Sequence, residues 1–165
     1  MEPRQPSESS SLITRWMGVA DANTAGNVHG GTIMRMCDEV AGIAAIRHSG
    51  SRVVTAGMDR MTFLHPVLVG MILTVRGTVN AAWRTSMEVG VRVEAEDVHT
   101  GEVMHTSTAY LTMVALTPEG KPAPVPPVDP QTDTERRRQR EAELRRETRL
   151  RERGQILAAR SNGSG

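Results

Sequence analysis

The sequence predicts an α+β domain in which one long helix is followed by an antiparallel sheet wrapped around it. Three observations carry this. Residues 30–47 place Ile33, Met36, Cys37, Val40 and Ala44 on one helical face. Four strand-like runs follow, joined by short links, which makes a meander. In the third run Met87, Val89, Val91 and Val93 alternate with Ser86, Glu88, Arg92 and Glu94, the pattern of a half-buried strand.

Residues 1–10 (MEPRQPSESS) read as a disordered polar lead without the apolar stretch of a signal peptide. Residues 11–20 suit a first strand. Residues 21–29, rich in Asn, Asp and Gly, suit a loop. The helix is expected from about Gly30 to Arg47, with Ser49-Gly50 as its stop. Strands follow over 52–63, which His65-Pro66 ends, and over 71–82, 84–97 and 102–116; His99-Thr100-Gly101 makes the last hairpin turn. Six prolines in 117–130 exclude helix and central strand, leaving an extended strap over the domain. A charged helix is expected over 129–160, supported by Glu141–Arg145 and Glu147–Arg151, with a disordered tail at 161–165. The domain proper is thus 11–128. One sheet and one helix make a thin core, so edges stay exposed and a homo-oligomer is expected.

Composition narrows the function. Twenty basic and nineteen acidic residues leave a formal charge of +1, which gives the whole chain no general pull on nucleic acid. Nine arginines over 136–153 raise that question again, but Glu residues interleave and no aromatic is present to stack on bases. A solvated helix packing along a neighbouring subunit is the expectation there. No apolar run is long enough to span a membrane. Cys37 is the single cysteine, which excludes an intrachain disulfide and fits a reducing, cytoplasmic setting. Its place on the core face points to a buried, inert thiol. His29, His48, His65, His99 and His105 lack metal-ligand spacing, so no metal is expected.

The stretch GNVHGGTIMRMCDEVAG, residues 26–42, concentrates the candidate chemistry. Asp38 falls on a helix stripe with Met34, Ala41, Gly42 and Ala45, while Glu39 points elsewhere. Partial desolvation there would raise its pKa and make it a better base; a carboxylate simply held by a hydrogen bond is the competing reading. Gly30-Gly31 opens the helix. Its bare amides can meet a carbonyl oxygen, or the pair can serve a turn of unusual φ. Asn27 can orient a water or a carbonyl, or close an Asx turn. His29 can line the site or bond backbone.

The segments DANTAGNVHGGTIMRMCDEVAGIAAIRH, VVTAGMDRMTFLHPVLVG, RTSMEVGVRVEAED, TAYLTMVAL and GKPAPVPPV together resemble the acyl-CoA thioesterases of the hotdog fold, and the brain-type cytosolic acyl-CoA hydrolases in particular. The similarity runs from about Ser11 to Val128. It implies an antiparallel sheet around the helix, dimers with side-by-side sheets that assemble as a trimer of dimers, and hydrolysis of acyl-CoA to fatty acid and CoA without a further cofactor. In tandem-domain relatives the Asn and the Asp lie on different repeats. The resemblance therefore implies that Asp38 of one subunit faces Asn27 of its partner. Gly31, helped by Gly30 or Thr32, would hold the thioester carbonyl in the same site as Asp38. Asp38 would activate water; its direct attack to give a mixed anhydride stays open. Arg84, Thr85 and Ser86 match the place where relatives hold the nucleotide, with Arg60 a further candidate; an exposed strand-end arginine is the plain alternative for each. A hydratase or dehydratase of the same fold needs a His acting with a carboxylate, and His65 has no matching Glu-bearing helix. A non-catalytic acyl-CoA sensor has no use for a base at Asp38.

Overall fold

The computed structural model describes residues 1–162, so positions 163–165 of the expected tail lie outside the described residues. The chain forms two units, Met1–Asp129 and a second that begins at Pro130.

In the first unit a short helix α1 (Pro6–Ser9) leads into β1 (Ser11–Trp16), and a 3-10 turn follows at Val19–Asp21. Then come α2 (Gly30–Ser49), β2 (Arg52–Met58), β3 (Ile72–Ala82), β4 (Ser86–Glu96) and β5 (Val103–Leu116). The strands form one antiparallel sheet in the order β1-β3-β4-β5-β2. The sheet curls around α2, which is the expected hotdog arrangement. Ile33, Met36, Cys37, Val40, Ala44 and Ala45 of α2 are buried against Leu73, Val75, Val79, Val89, Val91, Val93 and Leu111. The helical period and the strand alternation meet across this layer.

Two edges remain. β1 pairs only with β3, and β2 only with β5. The β2–β5 register shifts between Thr55 and Gly57, which leaves Ala56 as a bulge. Val53 and Thr55 alternate on one side of β2, and the extra residue lets Met58 also join Val53 against the core.

Several expectations are corrected. The first strand stops at Trp16 rather than residue 20, because the backbone turns at Val19–Asp21. β2 ends at Met58, although Asp59 N–H still bonds Tyr110 O and Leu64 N–H bonds Thr106 O, so the segment keeps company with β5. The lead at 1–10 is ordered. Arg4 Nη1 donates to Arg47 O (2.8 Å) and His48 O (3.0 Å), at the end of α2 where carbonyls lack helical partners. Arg4 N–H bonds Pro127 O, and Asp129 N–H bonds Arg4 O, so lead and strap run together. Ser9 is buried and accepts Val79 N–H on its Oγ. The proline-rich strap is extended and buries Ala123 and Val125.

The second unit holds α3, Asp133–Asn162, where 129–160 was expected. Thr132 and Glu135 cap its start reciprocally: Glu135 N–H bonds Thr132 Oγ1, and Thr132 N–H bonds Glu135 Oε2. Residues 161 and 162, expected in the tail, are its last two. Among the described residues no helix is long and apolar enough to cross a membrane.

Candidate active site

Asp38 lies eight residues into α2, on the stripe that begins at Gly30 and passes Met34. It is exposed within the chain, so any desolvation must come from outside. Glu39 turns away and pairs with Arg35 (3.0 Å). Cys37 is fully buried, and burial first, then the neighbouring Asp38, pushes its thiol up to about 12. A thiol so shifted is no nucleophile at neutral pH.

The partner of Asp38 is Thr55 of β2, whose Oγ1 donates to Asp38 Oδ1 at 2.5 Å. This bond holds one oxygen of the exposed carboxylate. Sequence reasoning missed Thr55. The available signal was a lone hydroxyl in VVTAGM at a position in step with the inward Val53.

The loop before α2 is tied by its own backbone. Asn23 Oδ1 accepts Ala25 N–H (2.9 Å) and Asn27 N–H (3.2 Å), while Asn23 N–H bonds Asn27 O (2.7 Å). Val28 N–H reaches Val67 O, and His29 N–H reaches Asp21 O. Asp21 in turn accepts Gly18 N–H and pairs with Arg15. The Asx turn therefore belongs to Asn23. With its oxygen engaged twice, the Asn23 amide has only Nδ2 to offer a ligand.

At the helix start His29 is the cap residue but makes no side-chain cap bond. Thr32 N–H and Ile33 N–H both return to His29 O. The N–H groups of Gly30 and Gly31 bond nothing among the described residues. Neither glycine has positive φ, which removes the turn-geometry reading of the pair. A Cβ at Gly31 would meet nothing within 4 Å. Two free amides at the positive end of a helix, with open space before one, form a ready pair of donors to an oxyanion.

The structure does not bring all expected residues together. Seven residues separate Gly31 from Asp38, about 10 Å of helix rise. The free N–H groups point out along the axis, away from Asp38. Within one chain the Gly31 amide and Asp38 therefore stand about two helical turns apart. Arg84 and Thr85 lie in the turn between β3 and β4, and Ser86 opens β4 level with Val114 of β5. Leu64, beside the Phe63 whose ring meets Gly30, bonds Thr106, eight positions from Val114 along β5, or about 26 Å. That turn and Gly31 of one chain therefore do not meet. Arg60 and His29 are exposed, and Thr32 is half-buried. Among the described residues no cluster of three or more His, Cys, Asp or Glu can hold a metal.

Comparison with known proteins adds a second line. The family model described as Thioesterase superfamily matches residues 25–102. The chain is 38% identical to the uncharacterized acyl-CoA thioester hydrolase YkhA of Bacillus subtilis over 81% of its length and 78% of that protein. It resembles the structure of an apo-hexameric acyl-CoA thioesterase with a TM-score of 0.89 and 39% identity, over 92% of this chain and 97% of that one. It also resembles the acyl-CoA hydrolase of Staphylococcus aureus (TM-score 0.89, 35% identity, 98% and 99% covered). That protein has been solved with butyryl coenzyme A and coenzyme A, and with an Asp, a Thr or an Asn replaced by Ala. Its Asn precedes the Asp by fifteen positions, and its Thr follows the Asp by seventeen.

Proposed function

This chain belongs to the acyl-CoA thioester hydrolases of the thioesterase superfamily, and on that footing we propose that it hydrolyses fatty acyl-CoA at a site shared by two subunits. One observation carries the proposal. Asn23, Asp38 and Thr55 repeat the residue types and both intervals of the Asn, Asp and Thr replaced in the Staphylococcus aureus enzyme. Asn27, the sequence candidate, stands eleven positions before Asp38 and misses the interval. We therefore assign the amide role to Asn23.

Each half of the site lacks what the other has. One subunit offers Gly30, Gly31 and Asn23 Nδ2; the other offers Asp38, oriented by Thr55. The exposed β2 edge, with Met34, Ile43, Ile46 and Val54 exposed beside it, supports a dimer with β2 edges adjoining. A homo-oligomer built from such dimers, up to a trimer of dimers, accords with the hexameric relative. The lone buried thiol accords with a reducing, cytoplasmic setting.

In the reaction the thioester oxygen accepts from the Gly31 amide, with Gly30 beside it. Asp38 of the partner removes a proton from a water that Asn23 Nδ2 helps to place. The water oxygen bonds to the carbonyl carbon, and the oxyanion is held by the helix end. Its collapse breaks the C–S bond and expels the CoA thiolate, which takes the proton back from Asp38. The products are a carboxylic acid and a thiol, with no further cofactor. Arg84 and Arg60 remain candidates for CoA phosphates. The direct test offers acyl-CoAs from acetyl to palmitoyl and follows free thiol. Release at one or more chain lengths supports the proposal, and release at none rejects it.

A further inference from the structure

Gly30 and Gly31 are adjacent but lack side chains for different reasons. Backbone conformation requires neither, since neither φ is positive. At Gly31 an added Cβ would find open space. At Gly30 it would stand 3.3 Å from Cζ, 3.5 Å from Cε2 and 3.9 Å from Cε1 of Phe63. The ring therefore meets the first turn of α2 end-on, and a Cβ at Gly30 would make ring or turn give by a few tenths of an ångström.

Phe63 is braced from behind. Asp59 N–H bonds Tyr110 O (2.9 Å) and Leu64 N–H bonds Thr106 O (2.8 Å), which fastens both sides of its segment to β5. Yet the residue is 43% exposed, as is Leu68, with Leu64 more so. An aromatic kept for core stability would be buried further. The helix start that it touches has no side-chain cap to hold it. Catalysis by free amides depends on their placement to within a fraction of an ångström.

We propose that Phe63 is a positioning residue: seated on Gly30 and braced by β5, its ring sets the first turn of α2 so that the Gly31 amide meets the substrate carbonyl. Gly30 is glycine to admit the ring, and Gly31 is glycine to admit the substrate. The proposal rests on the thioesterase reading.

The test is a cycle of Gly30→Ala, Phe63→Leu and the double variant, with kcat, KM and thermal midpoint measured for each oligomer. Gly30→Ala pushes the ring and turn apart by a few tenths of an ångström and should lower kcat about tenfold with little change in KM. Its thermal midpoint should hold or rise, because Ala favours helix over Gly. Activity and stability then move in opposite directions, which a merely structural contact would not produce. The smaller Leu makes room for the new methyl, so the double variant should turn over faster than Gly30→Ala alone. A double variant as slow as Gly30→Ala, an unchanged kcat in Gly30→Ala, or a parallel loss of stability and kcat would each overturn the positioning role. Wild-type protein that releases no thiol from any acyl-CoA would remove the thioesterase reading and this proposal with it. Wild-type turnover without rescue removes the proposal alone.

Discussion

Helix α2 ends with its carbonyls bonded and begins with two amides bonded to nothing among the described residues. At the C-terminal end Gly50, at φ +66°, returns its N–H to Ile46 O (2.8 Å). Arg4 covers Arg47 O and His48 O, and His48 Nε2 bonds Pro126 O (2.9 Å). At the N-terminal end His29 gives no side-chain cap, and Gly30 and Gly31 keep their donors free. One helix thus shows what each arrangement is for. The closed end uses Arg4 and the His48 Nε2 to tie α2 to lead and strap. The open end leaves two donors unbonded, and on the proposed function they receive the substrate oxygen.

Substitutions sharpen the contrast by acting on activity at one end and stability at the other. The largest effects belong to Asp38→Ala and Asn23→Ala. Each should lower kcat by roughly 10²–10⁴-fold with the thermal midpoint little changed. Asn27→Ala should stay within about threefold of wild type, so a collapse of kcat there would return the amide role to Asn27. Thr55→Ala should cost about tenfold in kcat and Thr55→Ser much less, because only the hydroxyl orients Asp38. At the closed end the readout reverses. Arg4→Ala should remove about 1–2 kcal/mol of stability by calorimetry or denaturant titration, with kcat/KM unchanged. A matching loss of kcat/KM would break the division between the two ends.

The smallest effect is the pH response of the closed end. Burial holds the His48 imidazole below its usual value of 6.5, aided by Arg4 and opposed by the Pro126 carbonyl and Glu8. Its Nδ1 is buried without a partner, so a second ring proton would have no acceptor. Above the usual value both folded and unfolded chains hold a neutral ring. As pH falls through 6.5 the unfolded chain takes up the proton first, so stability declines on the acid side. Thermal midpoints between about pH 7.5 and about pH 5 should fall more for wild type than for His48→Gln. Equal falls would assign the acid sensitivity to other groups.

The sequence made some of this legible and hid the rest for physical reasons. Helical spacing was enough to place Asp38 apart from Glu39 and to bury Cys37. It did not separate the apolar face of α2 cleanly from the small-residue stripe, because Ala41 and Ala45, placed beside Asp38, are buried in the core. Thr55 was hidden because a threonine in VVTAGM reads as strand propensity. Its role depends on the bulge at Ala56 and on which face of β2 meets α2. Two asparagines four apart in one loop cannot be told apart by composition; the difference is that Asn23 Oδ1, not Asn27, accepts the loop amides. The order of the lead was hidden because Arg4 acts on carbonyls 43 and 44 residues away. Gly30 and Gly31 looked alike until Phe63, far along the chain, was seen against one of them.

The central claim is that Asp38 of one subunit works with Asn23 of its partner. Inactive Asp38→Ala and Asn23→Ala proteins, mixed in equal amounts and allowed to exchange subunits, test it directly. If the site is shared, half of randomly formed dimers are mixed, and each mixed dimer has one intact site of two. Thiol release should then recover to about a quarter of the wild-type rate. If both residues act within one chain, no dimer carries an intact site, and a rate that stays at the average of the two separate variants after verified exchange would contradict the account.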